Sequence, residues 1–321
     1  MTGEITTAER HFTKRGYHFG GILGRGMEGV VYDLGDDVVG KVWFRRRPDE
    51  LAALQMFYRE LGASPSPVTF PEIIEVGLLD GTEHSSSEAV TVERKLTGTT
   101  LAGRLANGTV SVEQGWTCVT DLLAALREIP GGLAARNLPV VDEPQALWSG
   151  NATWPQALAA LIERRTALFG TRLRAAVTDF DAKLARILDL LGSLQPTSTS
   201  VIHGDIVPQN ILVDDDCHPL ALLDWGFLST AGDPAFEAAL AAGLFDMYGP
   251  GARESEAALL ARAHAAAGYS LERMHLYRAV YAVVTSNVYD PEGRDGHFAW
   301  CAASLERDDV VEALSADLSR F

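Results

Sequence analysis

The 321-residue sequence predicts an α+β chain in two parts, a small antiparallel-sheet lobe over residues 1–96 and a mainly helical lobe over 97–321. Up to about Leu96, short β-type segments rich in Val, Ile and aromatic residues alternate with glycines and turn residues. Beyond Leu101 the pattern changes to long Ala- and Leu-rich stretches with apolar residues three and four positions apart, the helical period. One stretch inside the helical part, residues 201–223, returns to brief apolar strands. Hydrophobic residues make up 47% of the chain, enough to bury a core in each part.

Gly21–Leu23, Gly29–Tyr32 and Val38–Trp43 read as three successive strands, with Gly35-Asp36-Asp37 as the turn between the last two. Pro48 to Leu61 reads as a helix, because proline suits a first helical turn and Gly62 suits a stop. Glu72–Leu78 and Ala89–Glu93 complete the sheet, with Asp80–Ser87 as a polar hairpin loop. Helical patterns then cover about 111–129, 154–169, 171–193, 233–247, 253–267 and 271–289. The Gly-, Pro- and Asn-punctuated loop between Pro130 and Thr153 is expected to cap helices with Trp148 and the following Trp154. Val201-Ile202, Ile211–Val213 and Pro219–Leu223 are expected as short strands, the last two joined by a turn at Asp214-Asp215-Asp216.

A formal net charge of −16 argues against a nucleic-acid partner, since phosphate backbones require clustered Lys and Arg. Most of the acidity lies beyond residue 100, which suits either solubility or attraction of a cationic small molecule. The first fifteen residues mix Glu4, Glu9, Arg10, Lys14 and Arg15 and contain no signal-peptide core, and no later stretch offers about 18 uncharged apolar residues. No membrane segment and no protein partner are expected. Cys118, Cys217 and Cys301 lie far apart without metal-ligand spacing and read as reduced thiols, which implies a cytoplasmic protein.

The stretch His203-Gly204-Asp205-Ile206-Val207-Pro208-Gln209-Asn210-Ile211-Leu212-Val213, followed by Asp224-Trp225-Gly226, carries the chemistry. An acid and an amide five residues apart, with a second acid at the end of the next apolar run, suit phosphoryl transfer. Asp205 would orient the attacking hydroxyl and take its proton. Asn210 and Asp224, both hard oxygen donors, would hold Mg²⁺ on the nucleotide phosphates. Singly, the three could be a turn residue, a loop cap and a surface acid; together they are far less ordinary. His203 reads as structural, with a ring nitrogen bonded to backbone, and Gly204 as a point of close backbone approach.

The segment His203–Leu212 with Asp224-Trp225-Gly226 resembles the aminoglycoside phosphotransferase and choline kinase superfamily, small-molecule kinases with a bilobal protein-kinase-like fold. The resemblance extends more loosely to Leu96-Thr97-Gly98-Thr99-Thr100-Leu101, similar to the segment after the interlobe hinge. Gly232-Asp233-Pro234-Ala235 is similar to the helix opening that follows the metal-binding acid.

Gly24-Arg25-Gly26-Met27-Glu28-Gly29 lies between two strands, as a phosphate-covering loop does, and places Gly24, Gly26 and Gly29 near the nucleotide. Lys41 sits in an apolar strand, an awkward place for a charge unless it reaches phosphates. Its expected carboxylate is Glu50: at ~100° per residue it lies nearer than Glu60 to the apolar face of the following helix. The competing reading of Glu50 is an acid favoured by the helix N-terminus. Glu93-Arg94-Lys95 should form the hinge, its backbone groups meeting a purine edge. Backbone contacts leave no sequence trace, so ATP and GTP stay undistinguished as donor, and the resemblance implies ATP as the commoner of the two.

Only seven residues, Phe227 to Asp233, separate Gly226 from Pro234, no Ala-Pro-Glu sequence occurs, and Gly204 stands where protein kinases carry arginine. These features favour a small-molecule acceptor with a free hydroxyl over a protein kinase or an inactive binding module. The resemblance implies a sugar-bearing antibiotic (aminoglycoside, nucleoside or macrolide) or, as the alternative, a metabolite such as an amino sugar or choline. The Ala- and Arg-rich composition favours the antibiotic by association with high-GC bacteria. Candidate acceptor-lining residues are Asp233, Glu237, Asp246, Tyr248 and Tyr281, with Asn287, Tyr289, Asp290, His297 and Trp300 further on. Acids beside Asp205 would indicate a cationic acceptor; aromatic walls would indicate a nucleoside or macrolide.

Overall fold

The computed structural model describes residues 6–26, 28–35, 37–79 and 88–317. The chain divides into two compact units, the first running to Gly98 and including Ala221–Leu223, the second comprising Thr99–Leu220 and Asp224–Phe321.

The first unit contains α1 (Thr7–Lys14), β1 (Gly21–Arg25), β2 (Gly29–Asp33), β3 (Val38–Trp43), α2 (Pro48–Gly62), β4 (Ile73–Leu78) and β5 (Ala89–Arg94). The strands form one antiparallel sheet in the order β1-β2-β3-β5-β4. Pro48 opens α2 and the face Leu51, Leu54, Phe57, Tyr58 and Leu61 is buried, as the sequence period requires. The expected hairpin loop Asp80–Ser87 lies outside the described residues, as do Met27 and Asp36.

Helix α1 is an addition to the expected elements. The Thr6 hydroxyl caps it by accepting the Glu9 N–H at 3.1 Å. Its fully buried Phe12 enters the cluster of Leu34, Val42, Leu79, Val90 and Val92. Gly40 in the middle of β3 makes room for that ring, since a Cβ there would stand 2.5 Å from Phe12 Cζ.

The second unit begins with β6 (Thr99–Thr100), α3 (Leu101–Ala106), α4 (Val112–Arg127), α5 (Leu133–Arg136), α6 (Trp154–Ala176) and α7 (Phe180–Ser193). It continues with β7 (Ser200–Ile202), β8 (Ile211–Val213), β9 (Pro219–Leu222, whose last two residues are counted with the first unit), β10 (Thr230–Gly232) and α8 (Pro234–Leu244). α9 (Ala252–Ala267), α10 (Leu271–Thr285), α11 (Gly296–Leu305) and α12 (Asp308–Ser315) complete it. A ribbon and a small sheet interrupt the helices: β10 pairs antiparallel with β7, and β6, β8 and β9 lie in the order β6-β8-β9 with β6 antiparallel to β8.

α6 runs through Gly170, where the sequence suggested a break. A glycine costs a helix interior about 1 kcal/mol, and the long buried face from Trp154 through Leu158, Leu161 and Ile162 to Leu173 outweighs it. α10 stops at Thr285, short of the expected 289, and α11, α12 and the β7–β10 ribbon were not foreseen. α8 is apolar nearly all round, and both α8 and α10 are buried along most of their length, so they form the centre of this unit. Among the described residues, no helix is long and apolar enough to cross a membrane, and the three cysteines are buried free thiols.

Replacing Phe12 with Ala removes a fully buried ring from the only described cluster joining α1 to the sheet. Urea unfolding of the intact protein is expected to show a loss of about 3 kcal/mol or more. A loss well under about 1 kcal/mol would mean that α1 is not part of this core.

Candidate active site

β7 delivers the chain into the loop His203–Asn210, and β8 carries it away. Gly204 sits at φ +78°, and a Cβ there would lie 2.5 Å from Leu228 Cβ, so the loop can pass only as glycine. The Asn210 amide donates to the Asp205 carbonyl at 3.0 Å and to Asp205 Oδ2 at 3.4 Å, which brings these two side chains together. Its amide nitrogen thus serves the loop. Asp205 N–H donates to His203 Nδ1 at 3.1 Å, so that nitrogen is unprotonated and His203 has the structural role expected of it. Asp205 itself is half-buried.

Asp224 follows β9 and is exposed, with φ +62°, a left-handed conformation that a non-glycine residue adopts only when its surroundings impose it. Those surroundings tie it to the first loop. The Trp225 ring, almost fully buried, meets His203 edge-on at 4.5 Å. Gly226 N–H donates to Ser229 Oγ at 2.8 Å, and that hydroxyl donates to the His203 carbonyl at 3.0 Å. Ser229 therefore couples the segment bearing Asp224 to the segment bearing Asp205. The sequence reading missed it, because a serine in a short linker has no pattern to mark it.

Glu237 was expected to line an acceptor site; the structure corrects this. Projecting from α8, it is buried and accepts the backbone N–H groups of His203 and Gly204, the latter at 3.1 and 3.2 Å. Burial pushes its carboxyl up to about 7, opposed by the two amides and reinforced by the Asp205 charge. Asp233 is likewise internal: it caps α8 through Ala235 N–H at 3.0 Å, accepts the Tyr277 hydroxyl and pairs with Arg273. Asp246 accepts Gly251 N–H at 2.9 Å, and Asp290 pairs with Arg294 at 2.8 Å. Asn287 is buried, donating to Asp290 and Pro291 carbonyls.

The aromatic candidates behave differently. His297 stacks on Trp300 with 5.9 Å between centroids and meets Tyr281 and Tyr289 edge-on at 6.3 and 5.1 Å. Its Nδ1 lies 3.1 Å from the Tyr248 hydroxyl and its Nε2 3.1 Å from Thr285 Oγ1. Burial lowers its pKa and keeps the ring neutral. Burial, and after it the Asp205 charge, raises the phenols of Tyr281 and Tyr289 above their ordinary value. Of the group, Tyr281 and Tyr289 thus feel the charge of Asp205.

In the first unit, Gly26 N–H donates to the Gly29 carbonyl at 3.0 Å and closes the turn between β1 and β2. A Cβ at Gly29 would sit 2.2 Å from the Val42 carbonyl oxygen, so packing requires that glycine. At Gly24 and Gly26 a Cβ would touch nothing. Lys41 Nζ lies 3.6 Å from the Trp43 ring and 3.8 Å from Glu28. Trp43 Nε1 is in turn fixed by Thr91 Oγ1 at 3.0 Å, and Thr91 by Glu93 at 2.5 Å.

Glu50 is not the partner of Lys41. At the third residue of α2, its carboxylate reaches back to Arg47 N–H at 3.0 Å and to the Arg47 guanidinium at 3.4 Å. That is the N-terminal role the sequence left open, and it satisfies an otherwise orphaned amide. In the hinge stretch, Arg94 N–H is bonded to the Glu72 carbonyl and Lys95 N–H to the Asp37 carbonyl, both at 2.9 Å. Lys95 Nζ binds Asp33 at 2.9 Å and the Gly35 carbonyl at 3.1 Å, so its side chain braces β2.

The raised Glu237 carboxyl makes stability depend on pH. Between its ordinary 4.5 and about 7, the unfolded chain ionises while the folded chain holds the proton. The stability it contributes is complete below the lower value and is lost as pH rises through the upper one, on the order of 3 kcal/mol in all. Urea unfolding of the wild type and Glu237→Gln across that window is expected to show the wild type losing stability relative to the variant. A constant difference would mean that the carboxyl titrates normally.

The family profile described as the phosphotransferase enzyme family (APH) matches residues 22–277. No curated protein matches the sequence. Among solved structures, a thermostable mutant of aminoglycoside phosphotransferase APH(4)-Ia, in a ternary complex with ADP and hygromycin B, superposes with a TM-score of 0.68. It is 18% identical, over 97% of this chain and 100% of that one. ADP-bound aminoglycoside phosphotransferase APH(2'')-Ib gives 0.57 at 15% identity over 99% of both chains. APH(3'')-Id from Streptomyces rimosus gives 0.54 at 16% over 88% of this chain and 98% of that one. At such identities the likeness establishes the kinase-like fold, while the profile spans most of the sequence, Asp205, Asn210 and Asp224 included. The chain belongs to the phosphotransferase enzyme family and is a phosphotransferase with a small-molecule hydroxyl as its acceptor.

Proposed function

We propose that this protein transfers the γ-phosphoryl group of ATP or GTP to a hydroxyl of a sugar-bearing antibiotic, with Asp205 as the catalytic residue. The observation that carries the reaction is the Asp205–Asn210 arrangement. One loop presents a half-buried carboxylate beside an amide whose nitrogen is engaged. An amide oxygen and a carboxylate held in a left-handed turn are donors of the type Mg²⁺ prefers, so Asn210 and Asp224 are the residues that would hold it. When bound, the ion would neutralise phosphate charge during transfer.

The remaining steps belong to the protein's own groups. Asp205 accepts the proton of the acceptor hydroxyl as its oxygen forms a bond to the γ-phosphorus and the bond to the nucleoside diphosphate breaks. Lys41, steadied by the Trp43 face, supplies positive charge for the phosphates. Gly24 and Gly26 have no packing reason to be glycine, which supports a loop that closely approaches phosphate oxygens. The amides of Arg94 and Lys95 are already bonded within the first unit, so they are not the groups that would meet a base edge.

For the acceptor, the acids that might have recognised a polycation are engaged elsewhere: Asp233 and Glu237 inside the fold, Asp290 with Arg294. Tyr281 and Tyr289, which feel the Asp205 charge, belong to one aromatic group with Tyr248, His297 and Trp300. Sugar faces and flat bases stack on such surfaces, which favours a nucleoside, a macrolide or a lightly charged aminoglycoside over a strongly cationic one.

A bacterium expressing the protein is expected to gain resistance to one or more members of a panel of nucleosides, macrolides and aminoglycosides, hygromycin B included. The product should be heavier by one phosphoryl group in mass spectra. Asp205→Ala should lower transfer by about 10³-fold while nucleotide affinity is nearly unchanged. A blank panel would shift the reading to a metabolic acceptor, and near-normal turnover in the variant would end the assignment of Asp205.

A further inference from the structure

We propose that the second unit contains a separate cleft that binds a small oxyanion of the phosphate class, with Arg136 as its principal charge. The cleft, of about 90 Å³, lies beside the start of the 23-residue α6 and includes none of the residues assigned to phosphoryl transfer. Its walls hold two arginines, Arg136 and Arg273, and no aspartate or glutamate. In a chain of net charge −16, an acid-free cavity with two guanidinium groups is a local inversion of the surrounding field.

The two arginines differ. Arg273 is paired with the buried Asp233, which cancels most of its charge. Arg136 lies over the Trp148 ring at 4.2 Å, donates to Thr199 Oγ1 at 3.3 Å, and makes no ion pair among the described residues. A half-buried guanidinium without a counter-ion is costly unless an anion supplies one. The donors around it are of the right kind. Thr199 accepts from Arg136 and so keeps its own O–H to give, while Trp154, 4% exposed and in the same wall, carries an indole Nε1 that has no acceptor.

A wall of donors with a planar cation suits a group that offers only lone pairs in several directions, as phosphate does.

The cleft also touches the scaffold of the catalytic loop. Thr199 immediately precedes β7, which runs into His203; Trp148 Nε1 donates to the Ala231 carbonyl at 2.8 Å. The Trp154 ring stands 2.7 Å from where a Cβ on Gly232 would be. An anion here would therefore bear on the β7–β10 ribbon from behind.

Trp148 and Trp154 are two of six tryptophans and provide the readout. The intact protein is titrated with inorganic phosphate at constant ionic strength while tryptophan emission is followed, with acetate in a parallel titration. A saturable change with phosphate that is at least tenfold weaker in Arg136→Gln, with acetate weaker than phosphate, supports the site. Thr199→Val, a near-isosteric change, is expected to weaken it several-fold and serves if Arg136→Gln melts early. Phosphate bound at the nucleotide site would be indifferent to both substitutions, so the two readings fail separately. No saturable response in the wild type, an unchanged midpoint in both variants, or acetate binding as well as phosphate would overturn the proposal.

Discussion

The carboxylate of Glu237, buried beneath two backbone amides, is the constraint on which the catalytic loop rests. His203 and Gly204 turn inward because Gly204 adopts a left-handed conformation against Leu228, and their N–H groups would be unsatisfied without an acceptor from below. α8 supplies it, and α8 can do so because small apolar residues let it run through the centre of the unit. Asp233 caps that helix and is locked by Tyr277 and Arg273 from α10. The position of Asp205 is thus set by the packing of two central helices, one turn of backbone away from the reacting group.

The cost of this arrangement is visible in the proton affinity of Glu237, which burial raises to about 7. Ionised, it can accept from both amides; protonated, it gives up part of that capacity. Asp224 carries a second cost in its left-handed backbone, maintained by the Trp225–His203 contact and the Ser229 bridge. The left-handed backbone of Asp224 and the buried carboxyl of Glu237 both lie beside the segment that bears Asp205, and both are held by neighbouring groups of the second unit.

The strands of the first unit and the loop from His203 to Asn210 were legible because their signals are local: alternation, glycine punctuation, and an acid and amide at fixed spacing. What escaped depends on contacts distant in sequence. Helix α1 is short, and its burial rests on a cavity left by Gly40 nearly thirty residues on. Ser229 is one hydroxyl whose partners arrive through folding. Helical geometry put Glu50 nearer the apolar face, yet its place in the first turn gave it a closer obligation to Arg47 N–H. Asp233 and Glu237 read as candidate acceptor-lining acids because sequence cannot tell that α8 is buried almost all round. Their removal from the acceptor question leaves aromatic rings where acids had been considered, and so changes the kind of molecule the site suits.

The support of the catalytic loop by α8 can be measured directly by amide hydrogen exchange, residue by residue, above the pKa of Glu237. The wild type should protect the His203 and Gly204 amides as strongly as the interior of α8, and Glu237→Gln should release at least one of them while α8 stays protected. Equal protection of both amides in the two proteins would show that the loop is held by something other than this carboxylate.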